Sequence, residues 1–315
     1  MARKSAKRSP RSAAGRLLNN MNPEIVRPNI VGLGEVLWDV FPHASHFGGA
    51  PANFACHAAG LGGDAWVVSA VGRDKLGDDA LASLSAKNVH TLLLQRNEHP
   101  TGTVTVTLDA AKQASYVFAA DPAWDHIVWN DSLALLAKKC KAVCFGSLAQ
   151  RAPESRRSVR EFLENTSADC LRIFDVNLRQ AFFSREVIES SLGFANVFKL
   201  NNDEVPVVAD LLGLPKDEKV FMLAVAQRFD LHTVALTRGA AGSLVWHKGA
   251  FDEKNAPKVA VVDTVGAGDS FTAALAIGLL RGEDLARIHQ RAVDVAAFVC
   301  TKAGATPELL PEFKR

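Results

Sequence analysis

The 315-residue sequence predicts a doubly wound α/β fold. Its central sheet should be mainly parallel, covered by helices on both faces, with a small β-sheet lid beside it. Three observations lead there. Short apolar runs of buried-strand type alternate with helix-like stretches through most of the chain. An early β-branched alternation, Thr-Val-Thr-Val-Thr within 101–108, reads as a half-exposed strand that such a sheet does not need. Composition is ordinary for a globular chain, 48% apolar and 22% charged.

Element by element, 30–36 reads as a buried strand that Glu35, Val36 and Leu37 continue, with Asp39 at its end. A helix over 52–61, a strand over 65–71 and a helix over 78–87 follow. Residues 101–108 and 115–118 form a hairpin around the turn Asp109-Ala110-Ala111-Lys112-Gln113. Then strands at 142–145, 171–175, 197–200 and 233–237 alternate with helices at 153–164, 185–191, from 203, and at 220–229. Segments 243–247 and 258–262 read as an antiparallel addition, and helices at 270–280 and 285–302 close the pattern. No Pro/Gly-rich linker divides the chain, so one large domain with a small lid is expected.

Charge is uneven. Residues 1–27 hold seven basic groups (Arg3, Lys4, Lys7, Arg8, Arg11, Arg16, Arg27) against Glu24. The remainder holds 29 basic against 33 acidic groups, so the globular body is mildly acidic. This speaks against nucleic acid as a partner. The longest apolar runs, such as 273–280, fall far short of the roughly 18 residues of a membrane span. The basic tail has no apolar signal core and is expected to be a disordered extension or the product of an early start codon. Its Arg/Ser content faintly resembles an organelle transit peptide, and a cytoplasmic protein is the expectation. Cys56, Cys140, Cys144, Cys170 and Cys300 are odd in number and include no Cys-x-x-Cys, so buried free thiols are expected.

The strongest motif is Asp263-Thr264-Val265-Gly266-Ala267-Gly268-Asp269-Ser270-Phe271, leading into an apolar helix. Small residues let backbone approach a ligand, and the helix N-terminus favours an anion there. Asp269 reads either as an N-cap or as a general base beside that anion. A second small-residue cluster, Gly48-Gly49-Ala50-Pro51-Ala52-Asn53, precedes another helix; Asn53 and Asp39 suit hydroxyl recognition. There is no Gly-x4-Gly-Lys-Ser/Thr, and Gly32-Leu33-Gly34 does not open a helix, so P-loop and dinucleotide sites are disfavoured.

Together, Gly48-Gly49-x-x-x-Asn53, Ala70-Val71-Gly72-Arg73-Asp74-x-x-Gly77 and Asp263-Thr-x-Gly-Ala-Gly-Asp269 resemble the signatures of the ribokinase-like (PfkB) carbohydrate kinases, over roughly residues 29–311. The resemblance implies a kinase domain at 28–315 whose lid is built from segments near 37–50 and 100–120. It implies transfer of the ATP γ-phosphoryl group to a sugar hydroxyl. Asp269 would be the base, and the Gly266, Ala267 and Gly268 amides the anion hole. Asn201 and Glu204 match the family's Asn-x-x-Glu element for Mg²⁺ and phosphate, Glu204 acting through water. Thr237 and Gly239 match the nucleotide-phosphate turn. Glu35 and Asp39 resemble the acidic pair on the sugar side, with Gly49 and Asn53 on the pocket floor and Phe118 on the lid; Arg179 of Asp175-Val176-Asn177-Leu178-Arg179 would meet a phosphate or stabilise the substrate side. Asp263, Val265 and Gly304, in the turn Lys302-Ala303-Gly304, stand where members hold a monovalent cation, K⁺. The exposed edges of such a lid invite pairing, so a homodimer through the lid is the expected assembly.

Within the family, Gly34-Glu35-x-x-x-Asp39, Pro100-Thr101-Gly102-Thr103, Ala123-Trp124-Asp125-x-Ile127 and Phe145-Gly146-Ser147-Leu148 look fructokinase-like. Trp38-Asp39-Val40-Phe41-Pro42 is bulkier than that pattern. No basic cluster for a phosphosugar accompanies these motifs. Fructose is therefore the leading expected substrate. The alternatives are ribose, 2-keto-3-deoxygluconate or adenosine, or a catalytically silent sugar-binding regulator.

Overall fold

The computed structural model describes residues 28–108 and 114–314. The basic tail 1–27 and the expected hairpin turn 109–113 lie outside the described residues.

The first strand is shorter than the sequence suggests. β1 (Asn29–Leu33) stops at Gly34, whose φ of +147° breaks the extended run. Glu35 and Val36 then lead into β2 (Leu37–Phe41) of a second sheet, so Asp39 lies on the lid and not at the end of the first strand. β3 (Ala44–Gly48) pairs back on β2 and delivers the chain to α1 (Ala50–Gly60). β4 (Asp64–Gly72), α2 (Lys75–Ala86) and β5 (Leu94–Asn97) follow. β6 (Gly102–Leu108) and β7 (Ala114–Phe118) complete the lid in the order β3-β2-β6-β7. This lid is mixed, because β6 runs parallel to β2 while both outer pairs are antiparallel.

The base resumes with α3 (Asp131–Lys139), β8 (Ala142–Phe145), α4 (Pro153–Glu164), β9 (Leu171–Asp175) and α5 (Arg185–Phe194). It continues through β10 (Val197–Asn201), α6 (Glu204–Leu212), α7 (Glu218–Phe229) and β11 (Thr233–Thr237). The antiparallel addition is β12 (Ser243–His247) with β13 (Ala250–Lys254). The expected strand at 258–262 is irregular instead: a two-residue turn at Lys248 and Gly249, both with positive φ, starts the return strand earlier. α8 (Ala267–Leu280) and α9 (Leu285–Cys300) finish the layer.

The nine-stranded sheet has the order β13-β12-β11-β10-β9-β8-β1-β4-β5, parallel from β11 to β5. Successive β1 side chains enter opposite cores. Val31 and Leu33 join the core under α3 to α7, while Ile30 joins the core under α1, α2, α8 and α9. Phe145, Phe174 and Phe198 stack across β8, β9 and β10 on the first of these faces, with centroids 5.3 and 5.7 Å apart. The chain reverses its direction of travel across the sheet between β1 and β8, a switch point of the kind that opens a crevice at the strands' C-terminal ends. The five cysteines are free thiols; four are buried and Cys300 is half-buried.

α1 approaches β1 closely because Gly32 has no side chain. A β-carbon there would overlap the Pro51 carbonyl oxygen. Gly32→Ala should therefore destabilise the protein by about 2–3 kcal/mol through overpacking, read as a lower urea midpoint. An unchanged midpoint would show that α1 can move away without cost.

Candidate active site

Most of the sequence-selected residues lie where β1, β9, β10 and β11 end and α1 and α8 begin, while Asp39 and Phe118 lie on the lid strands β2 and β7. Gly266 is the N-cap of α8, at φ +78° and ψ −6°. A β-carbon on it would overlap the Ala305 carbonyl, so both its conformation and its surroundings require glycine. The Ser270 amide donates to Gly266 O at 2.9 Å, and the Ala267 amide to Thr264 O at 3.3 Å. The amides of Gly266, Gly268 and Asp269 find no acceptor among the described residues. They form the open positive end of a 14-residue helix.

Asp269 is not an N-cap. It lies in the first turn and its side chain makes no capping bond. Its Oδ2 instead accepts from Asn53 Nδ2 at 2.8 Å, joining the starts of α1 and α8. Burial, then the charge of Asp175, push its carboxyl up to about 6; the Asn53 bond, Lys199 and Arg179 pull the other way. Such a carboxylate is ionised at neutral pH yet basic enough to take a proton.

Beneath Gly268 lies a buried charge network. Lys199 Nζ sits 3.1 Å from Asp175 Oδ1, and both residues are buried. Thr272 Oγ1 donates to Asp175 Oδ2 at 3.0 Å. A β-carbon on Gly268 would stand 3.0 Å from Lys199 Nζ. Sequence reasoning gave no role to Lys199, Asp175 or Thr272. The signal was present: Lys199 begins the run containing Asn201 and Glu204, and a Lys inside a buried parallel strand asks for a partner.

Glu204 is buried, not a solvated acid. Its Oε1 accepts from Leu178 N at 2.8 Å and its Oε2 from Asn201 N at 2.7 Å. Asn201 Oδ1 in turn accepts from Asp203 N and Glu204 N at 2.9 and 3.0 Å. The pair is a reciprocal capping box that turns β10 into α6. Burial raises the Glu204 carboxyl, and Lys199 opposes the shift.

Across the cleft, Gly49 is the N-cap of α1 at φ +107°, against the Glu35 carbonyl. Glu35 is buried, its Oε2 has no partner among the described residues, and burial pushes it up to about 7. Asp39 faces out of β2 beside Gly48; burial raises its carboxyl, while Arg179 and His46 lower it. The exposed Arg179 thus acts electrostatically on Glu35, Asp39 and Asp269 together. Phe118 on β7 packs edge-on against Phe182, centroids 5.5 Å apart.

Thr237 closes β11, and Gly239 opens a 3-10 turn at φ +53°. Asp263 brings two loops together: its Oδ1 accepts from Val265 N at 3.0 Å and its Oδ2 from Gly304 N at 3.1 Å.

The pfkB family carbohydrate kinase model matches residues 30–312. A putative sugar kinase, PH1459, of Pyrococcus horikoshii is 32% identical over 278 residues, 85% of each chain. A fructokinase of Salmonella typhimurium is 31% identical over 260 residues, 78% of this chain and 83% of the relative. The structure of PH1459 in complex with ATP superposes with a TM-score of 0.78 at 29% identity, covering 88% of this chain and 94% of that one. The nine-stranded sheet with its separate four-stranded lid is a ribokinase-like fold, and the chain is a member of the pfkB family of carbohydrate kinases.

Proposed function

We propose that this protein transfers the γ-phosphoryl group of ATP to a hydroxyl of a neutral sugar, with fructose the leading substrate. One observation carries the reading: a carboxylate raised to about 6 is held by Asn53 at the open amide end of α8. Asp269 takes the hydroxyl proton as the sugar oxygen bonds to phosphorus. The phosphorus–oxygen bond to ADP breaks, and its electron pair leaves with ADP. The Gly266 and Gly268 amides face the charge that develops; the Ala267 amide, turned towards Thr264, contributes less. Asp39, Gly49, Asn53 and Arg179 hold the sugar, and Phe118 covers it from the lid, which excludes water and suppresses ATP hydrolysis.

Thr237, Gly239 and Asn201 bind the nucleotide phosphates. Mg²⁺ bound with ATP supplies charge neutralisation on the phosphate oxygens. Glu204 suits such an ion through water, since a backbone amide bonds each of its oxygens and holds the carboxylate in place. Asp263, Val265 and Gly304 form the proposed K⁺ loop pair; Asp263 holds the loops, leaving backbone carbonyls as ligands. β3 and β7 are the lid's edge strands, and a second copy of the chain is the partner proposed there.

The fructose assignment rests on the resemblance of Gly34-Glu35-x-x-x-Asp39 to fructokinases and on the fructokinase named among its relatives. Coupled ADP release with Mg-ATP should favour fructose over ribose, 2-keto-3-deoxygluconate, fructose 6-phosphate and adenosine. Asp269→Asn should keep the fold and ATP binding and lose about 10²–10⁴-fold in turnover. Near-normal turnover would remove Asp269 as the base. Silence of the folded, ATP-binding wild type towards the whole panel would favour a sugar-binding regulator.

Asp39→Ala should raise the sugar KM by at least about tenfold, the loss of one hydroxyl contact of about 1.4 kcal/mol, with the ATP KM unchanged. Equal effects on both constants would move Asp39 out of the sugar site.

A further inference from the structure

We propose that His99, Asp121 and His126, backed by Glu154, bind one divalent transition-metal ion of the Zn²⁺ type and tie together the two legs of the lid. The cluster lies apart from the kinase machinery. His99 precedes β6 by three residues and Asp121 follows β7 by three, so they mark where the chain enters and leaves the lid. His126 ends the 3-10 turn Ala123–His126 of the base, and Glu154 lies in the first turn of α4.

Asp121 Oδ2 is 3.1 Å from His99 Nδ1, and its Oδ1 is 2.6 Å from His126 Nε2. One ligand atom from each of the three residues lies within 4.8 Å of the others. Asp121 is held at φ +52°, a left-handed conformation that Asp tolerates and that carries its carboxylate between the two rings. Glu154 Oε2 accepts from His126 Nδ1 at 2.9 Å. That bond fixes a proton on Nδ1 and leaves Nε2 to serve as a donor atom, the carboxylate–histidine arrangement that supports metal ligands. Two carboxylates thus converge on one imidazole, an environment that favours a cation.

Two imidazoles and one carboxylate suit Zn²⁺ or Co²⁺ better than Mg²⁺, which prefers oxygen ligands. The rings now face each other at 3.6 Å, 12° from parallel. An ion would replace the shared protons, and the rings would splay so that both lone pairs meet it. All four side chains are partly exposed, so the ion has access and substitutions leave the core intact.

The test is calorimetric titration of the full chain, free of nucleotide, with ZnCl₂. Hydrogen exchange of 102–106 and 116–118 is followed alongside. The expectation is one Zn²⁺ whose affinity falls about 10–100-fold in Glu154→Gln and is lost in His99→Ala and Asp121→Asn, with slower lid exchange only where the ion binds. Absence of binding to the wild type, binding that survives His99→Ala and Asp121→Asn, or binding that leaves lid exchange unchanged would each overturn the proposal.

Discussion

The ion pair of Lys199 with Asp175 is the constraint on which the site depends. Both groups are buried on adjacent parallel strands, Asp175 ending β9 and Lys199 facing it from the middle of β10, where neither is stable alone; removing one partner of such a pair typically costs about 3–5 kcal/mol. The pair must therefore be satisfied on every side. Thr272 of α8 reaches down to Asp175, which fixes how α8 sits on the sheet. Gly268 lies directly above Lys199, which fixes how close the helix start can come. Asp175 then raises the Asp269 carboxyl while Lys199 restrains it, so one buried pair both places the base and tunes it.

The lid attaches through a second, independent set of contacts. Arg151 is sandwiched between the Trp124 and Phe182 rings, 4.2 and 4.8 Å from their centroids. Its guanidinium also donates to Ala119 O just beyond β7 and pairs with the buried Asp125. Gly102, at the foot of β6, admits the Trp124 indole where any side chain would collide with it. The lid is thus anchored at its foot.

The alternation of apolar runs made the parallel sheet legible, and 153–164, 171–175 and 233–237 coincide with observed elements. Gly34 hid the break after β1, because a glycine between apolar residues reads equally as strand. The polar edge strand β13 carries Asp252, Glu253 and Lys254 and gave no apolar signal, whereas the irregular 258–262 carries Val259, Val261 and Val262 and did. At the site, the small-residue clusters before α1 and α8 located the helix starts. What sequence could not supply were pairings across the fold: Asn53 with Asp269, 216 positions apart, and Thr272 with Asp175, 97 apart. The burial of Glu204 was hidden for the same reason, since its Leu178 partner comes from another strand's loop.

The most direct test of a network-poised base is the pH profile of kcat/KM for the sugar, which reports groups titrating in the free enzyme. Asp269 acts as the carboxylate, so activity should be full above its raised value and fall about tenfold per unit below pH about 6. Asn53 stabilises the ionised form, so Asn53→Ala should move that acidic limb to higher pH. A wild-type profile flat down to pH about 5, or a limb that Asn53→Ala leaves in place, would contradict the account.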